Sequence, residues 1–445
     1  MSDMGWPHLR PADKESILRG VRDGQVYGGP YHVEIYPADR CNIDCFFCST
    51  AAIRGTDELP LQRIEELIDE LHRAGTRSIR LSGGGEPLFH RSVKPMLQRI
   101  ADSGIPIENL TTNAVLLGED VARLLVRCCD MVTISLNTAD QETYATMMKT
   151  PARNFDRVLA NVRQLIRIRS EARSKRPIVQ LQYLVWKDNY KTIPRMYELA
   201  RELGADRIIY NGLSSLPPEK RMSDAQIAEM MSLYEDVIRI DEFRHIQHIS
   251  SFERDLTAEI TSMIHRVAAE RQSQPLLRRI ATFFTRAGTL REKVAHNLQM
   301  KRNLRADAAV SSFDEACVIG WYSLVIRSDG TVAPCCILQG KPLGNVFQQS
   351  VEQIWNGEGY QRFRRELTGI IEKREQWTSE GSETVEALCA AKSGDQCPMR
   401  SYFFIRDTGF VNALGATFNA SHAASRSTPE YGFTHHGPET RGEDG

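Results

Sequence analysis

Cys41-Asn42-Ile43-Asp44-Cys45-Phe46-Phe47-Cys48 places three thiols within eight residues. Thiolates are soft ligands that select iron–sulfur clusters or zinc, and a structural zinc site would need a fourth ligand close by. None follows nearby: the first imidazole downstream is His72, inside a stretch of helical periodicity. Three thiols can instead hold a four-iron cluster with one iron left open to a further ligand.

Outward from this segment, between Tyr31 and Tyr210, short apolar runs alternate with longer amphipathic ones, the pattern of a parallel sheet with crossover helices. Strands are expected near His32–Ile35, Ser78–Leu81, Ile107–Thr111, Met131–Ser135, Val179–Val185 and Ile208–Tyr210. The intervening segments carry apolar stripes at helical spacing, such as Leu61, Ile64, Leu67, Ile68 and Leu71, which belong to the core. Functional residues of parallel barrels gather at the carboxyl ends of the strands. The cysteine segment follows the first strand, and Ser82-Gly83-Gly84-Gly85-Glu86-Pro87 follows the second. Glycines let the backbone pass close to a ligand, and a carboxylate there could accept hydrogen bonds from an ammonium group.

The CxxxCxxC spacing with an aromatic before the last cysteine resembles the signature of the radical S-adenosylmethionine (SAM) superfamily. The resemblance implies an α/β fold built on a partial (β/α)6 barrel, and a [4Fe-4S] cluster held by Cys41, Cys45 and Cys48. In that family the open iron binds SAM, and an electron from the cluster breaks SAM to a 5′-deoxyadenosyl radical that removes hydrogen from substrate. Gly84, Gly85 and Glu86 resemble the family's GGE motif, which holds the SAM amine. Phe47 would lie against adenine. Asn113, after the third strand, and Ser135 and Asn137, after the fourth, could bond the ribose or cap the helices that follow. Asn137 stands where the family more often has Asp. Lys149 is the nearest candidate to pair with the SAM carboxylate, although Arg would be the better bidentate partner.

A second set of cysteines begins at Cys317. It is followed by Trp321-Tyr322-Ser323-Leu324-Val325-Ile326, then Asp329-Gly330, then Thr331-Val332-Ala333-Pro334-Cys335-Cys336. Asp-Gly between two such runs signals a hairpin, which would bring Cys317 and Cys335 together. With Leu343-Gly344-Asn345-Val346 and Ile354-Trp355-Asn356-Gly357, this half resembles the SPASM/twitch domain appended to many radical SAM enzymes, implying a small α+β auxiliary iron–sulfur domain. The cysteines are too few for two full auxiliary clusters, so one auxiliary [4Fe-4S] cluster is the economical reading, with Cys317, Cys335, Cys389 and Cys397 as ligands. Cys336 could replace Cys389 or Cys397. Cys128 and Cys129 precede the fourth strand, at the wrong end for chemistry, and read as core.

The organisation expected is therefore an N-terminal extension (1–30), the barrel (31–215), a charged helical insertion (216–312), the auxiliary domain (313–412) and a disordered tail (413–445). The insertion includes Ile227-Ala228-Glu229-Met230-Met231 and the amphipathic run from Leu256 to Val267, and reads either as packed helices or as a lid. Lys+Arg 56 against Asp+Glu 57 gives no field that would favour nucleic acid or an anionic membrane. No apolar run reaches membrane-spanning length, and Met1-Ser2-Asp3 opens no signal peptide, so a cytoplasmic protein is expected. In that compartment ten cysteines point to metal ligation.

Forty residues before Cys41 leave no room for a winged-helix peptide-recognition domain, and the charge balance argues against a nucleic-acid substrate. A small-molecule substrate follows. The twitch-like half resembles enzymes that oxidise, epimerise or dehydrate sugars and aminocyclitols in natural-product biosynthesis, so oxidation or dehydration of a polyhydroxylated molecule is expected. Asp188, after the fifth strand, and Tyr210, at the end of the sixth, stand where a general acid or base is needed. Epimerisation would call for a spare cysteine at a strand end, which is lacking, although Tyr183 or Tyr210 could donate hydrogen. Maturation of a ribosomally made peptide is the other class of reading. A flavodoxin- or ferredoxin-type electron donor is implied by the resemblance.

Overall fold

Strands and helices alternate through the first half of the computed structural model of the chain, which describes residues 8–48, 50, 51, 54–212, 222–240, 318–336, 338 and 340–372. β1 (His32–Ile35), β2 (Ser78–Leu81), β3 (Ile107–Thr112), β4 (Met131–Ser135), β5 (Ile178–Val185) and β6 (Arg207–Gly212) are parallel neighbours in sequence order. Each lies at or within two residues of the expected position. The crossovers carry α2 (Leu61–Ala74), α3 (Val93–Ser103), α4 (Glu119–Cys128), α5 (Gln141–Met148), α6 (Arg153–Glu171) and α7 (Ile193–Leu203).

Helical spacing puts Ile64, Leu67, Ile68 and Leu71 of α2 on one buried stripe, each such side chain contributing about 1.5–3 kcal/mol. The helix stops at Gly75, whose left-handed backbone returns its N–H to His72 and Leu71. Successive helices pack on one another along one side of the sheet. Against them the strands present Val33, Ile79, Leu110, Val132 and Leu181, all fully buried. The period-2 alternation of a strand then sends the intervening residues to the inner face of the half-barrel. In-register pairing lines these up: Glu34 with Arg80, Arg80 with Asn109, Thr133 with Gln180, Ser135 with Gln182, and Leu184 with Asn211. A parallel sheet covered on both faces ordinarily reads as continuous apolar runs. Here the inner face is polar.

The C-terminal region joins the same sheet. β7 (Ser323–Ile326) pairs parallel with β1, and β8 (Thr331–Ala333) and β9 (Gly344–Asn345) follow antiparallel, giving the order β6-β5-β4-β3-β2-β1-β7-β8-β9. The Asp329-Gly330 hairpin forms as expected between β7 and β8. The apolar run from Trp321 is not all strand: Trp321 and Tyr322 close a short helix, α9 (Ile319–Tyr322), so that the Trp321 indole N–H reaches the Gln25 carbonyl at 2.9 Å.

The segment before the barrel is also folded onto it. α1 (Pro11–Asp23) buries Ile17 and Val21, and its buried Asp13 takes both Nε (2.8 Å) and Nη2 (3.0 Å) of Arg77. At the other end, α10 (Val351–Asn356) and α11 (Glu358–Glu372) enclose a buried cation: the Arg364 guanidinium lies 4.5 Å from the Trp355 ring centroid and 5.0 Å from that of Tyr360. Trp355 in turn donates its indole N–H to Gly28 O at 3.1 Å.

Of the expected insertion, α8 (Asp224–Ile240) is described, and it packs on α7 with Met230, Tyr234 and Val237 buried. The run from Leu256 to Val267 and the tail from 413 lie outside the described residues. Among the described residues no helix is long and apolar enough to cross a membrane. Truncation of Trp355 to Ala removes a buried ring, its bond to Gly28 and the stacking surface of Arg364, and should lower unfolding stability by about 3–5 kcal/mol, read as a shift in the urea midpoint.

Candidate active site

The loop after β1 is held down by the loop after β2. A Cβ on Gly84 would stand 2.5 Å from Asp39 Oδ1, and one on Gly85 would overlap the Arg40 carbonyl oxygen. Only glycine permits this approach, and it lets Gly85 N–H reach Ala38 O (3.1 Å) and Glu86 N–H reach Arg40 O (3.0 Å). Asp39 also receives Gly55 N–H (3.3 Å), which turns the far end of the cysteine loop back on its start.

The cysteine loop is then fastened thiol by thiol. Cys48 Sγ lies 2.9 Å from Arg54 Nη2 and 3.2 Å from Thr50 Oγ1, and Thr50 donates to Gly84 O at 2.8 Å. Asn113, just after β3, directs its Nδ2 to Asn42 Oδ1 (2.8 Å) and to Cys41 Sγ (3.8 Å). Cys45 faces the Met148 thioether at 3.6 Å, and the end of α5 accepts Asp44 N–H and Phe46 N–H on the carbonyls of Met148 and Met147. Phe46 packs on Trp186, with ring centroids 4.9 Å apart, and meets the half-buried Phe47 edge-on.

These surroundings treat the thiols differently. Burial raises Cys48, but hydrogen bonds from Thr50 and the Arg54 charge more than offset it, so its pKa falls below the ordinary cysteine value. Burial pushes Cys45 up to about 12, assisted by Cys41 and Cys48. Cys41 is raised chiefly by burial. Three thiols share this glycine-pinned loop, and thiols are the donor type that iron–sulfur clusters take; among the described residues the side chains do not stand together as a group of three that could hold a metal ion.

Glu86 does not offer its carboxylate to the open end of the barrel as expected. It is buried, with Oε1 accepting from Thr112 Oγ1 (2.5 Å) and Leu88 N–H (3.1 Å) and Oε2 accepting from Asn113 N–H (2.7 Å). Its place is to fix Asn113 against the cysteine loop. Burial raises its pKa to about 7 against those three donors.

Ser135 ends β4 on the partly exposed inner face. Asn137 adopts a left-handed backbone (φ 64°), is buried, and gives Nδ2 to Met148 Sδ (3.6 Å), while its Oδ1 has no partner among the described residues. Thr111 Oγ1 on the inner face is likewise buried and unpaired among the described residues. Asn137 shares the Met148 thioether with Cys45, and an unpaired buried acceptor of this kind is what a polar ligand would satisfy. Lys149 caps α5 in a left-handed conformation and pairs with Asp44 at 3.6 Å on the exposed rim. Asp188 is also exposed on the rim, 3.4 Å from Lys187.

Tyr210 is a correction. Strand parity turns it to the helix side, where it is fully buried edge-on against Tyr183 and Tyr234, and its paired neighbour Tyr183 bonds Asn189 O and Thr192 there. Neither phenol faces the inner surface. Ile209 and Asn211 do. Cys128 and Cys129 donate to backbone carbonyls of Leu124 and Met131, as core thiols do. Cys335 is buried just past the end of β8, with Cys336 beside it, and both thiols act on the buried phenol of Tyr36, which follows β1. Cys317, Cys389 and Cys397 lie outside the described residues.

Sequence reasoning missed Asp39, Thr50 and Arg54, and it missed the inner row. That row runs from the floor, where His32 Nδ1 meets Ser78 Oγ (2.9 Å) and Glu108 (3.1 Å), through the Glu34–Arg80 pair (3.5 Å), to Asn109, Thr133 and Gln180 linked side by side at 3.0 and 3.2 Å. Alternating polarity in His32-Val33-Glu34, Ser78-Ile79-Arg80 and Gln180-Leu181-Gln182 was the available signal.

A family model described as the radical SAM superfamily matches residues 35–200, and one described as an iron-sulfur cluster-binding domain, SPASM, matches 317–390. The GTP 3',8-cyclase of Chlorobaculum tepidum is 34% identical over 175 residues, 38% of this chain and 50% of that protein. A probable GTP 3',8-cyclase of Metallosphaera sedula is 27% identical over 173 residues, 38% and 51%. The chain spans about half the length of the curated relatives it matches. Among solved structures, SuiB of Streptococcus suis bound to S-adenosylmethionine superposes with a TM-score of 0.54 at 15% identity, covering 89% of this chain and 80% of that one. At that identity the likeness is one of fold.

Two outcomes follow from the loop geometry. Gly85→Ala should prevent the two loops from closing and lower iron bound per chain after anaerobic reconstitution, whereas Gly118→Ala, with open space around its Cβ, should load normally. Glu86, whose folded pKa of about 7 lies above the ordinary 4.5, holds its proton in the folded state through that interval. Its contribution to stability is full below 4.5 and lost as pH rises through about 7. The thermal midpoint of Glu86→Gln should lack that part of the decline when both proteins are scanned from pH 5 to 8.

Proposed function

We propose that this chain, whose residues 35–200 match the radical SAM model and 317–390 the SPASM model, is a radical SAM enzyme in which Cys41, Cys45 and Cys48 hold the SAM-binding [4Fe-4S] cluster and the inner face of the half-barrel holds a polyhydroxylated small molecule for oxidation or dehydration. When bound, the cluster supplies the electron that cleaves SAM, and SAM supplies the 5′-deoxyadenosyl radical that takes hydrogen from the substrate. The auxiliary cluster that accompanies the SPASM domain would use Cys335, with Cys317, Cys389 and Cys397 or with Cys336 in place of one of the last two.

The chain's own residues divide the remaining work. Gly84 and Gly85 keep the backbone of the β2 loop against the thiol loop, and Glu86 orients Asn113. Asn113, Ser135 and Asn137 surround SAM with amide and hydroxyl groups, and Phe47 gives adenine a flat wall. Lys149 can exchange Asp44 for the SAM carboxylate. Asp188 is the rim carboxylate placed to move a proton at a reacting hydroxyl.

The observation that carries the substrate reading is the inner face itself. Towards the thiol loop it offers Thr111, Ser135, Gln182 and Asn211, neutral groups that both donate and accept. Such a row suits hydroxyls better than apolar or highly charged ligands. The curated relatives are named as cyclases of GTP, which supports a small-molecule substrate, although GTP itself is more highly charged than this row suits. A flavodoxin- or ferredoxin-type donor in the cytoplasm would deliver the electron.

Anaerobically reconstituted protein with SAM and dithionite should form 5′-deoxyadenosine; its absence would remove the enzymatic reading. With substrate, Asp188→Asn should slow turnover by about 10²-fold or more while 5′-deoxyadenosine still forms.

A further inference from the structure

Cys48 is the thiol whose sulfur faces a charge. Arg54 Nη2 stands 2.9 Å from Cys48 Sγ, whereas Cys41 receives a long amide contact at 3.8 Å and Cys45 a thioether. Among the described residues the Arg54 guanidinium is hydrogen-bonded to this sulfur and to no carboxylate, and its buried Nε has no partner. Its charge also acts on Cys41 and Cys45. An arginine in a folded chain ordinarily pairs with a carboxylate or lies in solvent. This one is half-buried and directed at the Cys48 thiol.

Its position is fixed by the loop rather than by its own length. Gly55, the next residue, is tied to Asp39, and Asp39 abuts Gly84. The same packing that closes the thiol loop therefore delivers the guanidinium.

We propose that Arg54 is a positioning residue of the first cluster, which holds Cys48 by a charged hydrogen bond and raises the cluster's reduction potential. The inference rests on the reading of Cys41, Cys45 and Cys48 as cluster ligands. A cluster gains one negative charge on reduction, so a fixed cation beside a ligand sulfur stabilises the reduced form more than the oxidised one. Hydrogen bonds to ligand sulfur act in the same direction. The chemistry is a one-electron transfer from an external reductant to the cluster, with no bond in Arg54 made or broken.

The test is an EPR redox titration of the reconstituted full chain, following the signal that is absent from a Cys41→Ala/Cys45→Ala/Cys48→Ala variant. Arg54→Gln should be roughly tenfold harder to reduce, which for a one-electron couple is a midpoint about 59 mV more negative. Arg54→Lys, which keeps the charge but not the planar fork, should fall between Gln and wild type. Iron per chain, measured alongside, should stay equal to wild type in the Lys variant. A midpoint unchanged in both variants overturns the proposal, as does an unchanged midpoint with weakened SAM binding, which would make Arg54 a SAM contact instead. If wild type and the triple variant give the same signals, the ligand reading itself falls, and this proposal with it.

Discussion

The contact of the Gly84-Gly85 backbone with Asp39 and Arg40 decides whether there is a site at all. Two strand-end loops meet there with no side chain between them, and every later contact assumes that approach. Thr50 can bridge Cys48 to Gly84 only because the loops touch. Asn113 can reach Asn42 and Cys41 only because Glu86, carried on the same glycine loop, holds its backbone. The thiols are thus positioned by backbone contact first and by hydrogen bonds second, an order that suits the proposed ligand set, whose spacing would have to be kept.

The polar inner face is the second organising feature, and it costs the fold little. The helix-facing side is mostly apolar and supplies the burial that stabilises the sheet. The inner side can therefore carry His32, Glu34, Arg80, Glu108, Asn109 and Gln180, provided that they satisfy one another. They do so largely along the strand pairing, so that neighbouring rungs of the sheet are also hydrogen-bonded neighbours. Among the described residues Gln180 Oε1 and, nearer the thiol loop, Thr111 Oγ1 are buried without a partner.

Much of this was legible in the sequence because it rests on period and spacing. The six strands and the hairpin follow from alternation and turn chemistry, and the thiol loop from its spacing. What escaped depended on direction. Tyr210 was expected at the substrate because it ends a strand, yet one residue of parity decides between the two faces, and Tyr234 on α8 was there to receive it. Glu86 was expected to meet an amine, but Thr112 and two backbone N–H groups claim the carboxylate. Arg54 had no motif to mark it, since its role arises from a loop that turns back on itself. The N-terminal helix was underrated for a similar reason: the partners that fix it, Arg77 and Trp321, are distant in sequence.

The pairing of β7 with β1 has a consequence for biogenesis. β1, which leads into the thiol loop, lies between β2 and β7, and the chain between these two partners runs from Leu81 to Ser323. During synthesis one edge of β1 stays open until Ile326 has left the ribosome, and an open strand edge is a site of mispairing. Completion of the sheet beside the strand that leads into the thiol loop therefore waits on the C-terminal region. The two halves of the molecule share a strand, and with it a single schedule of maturation.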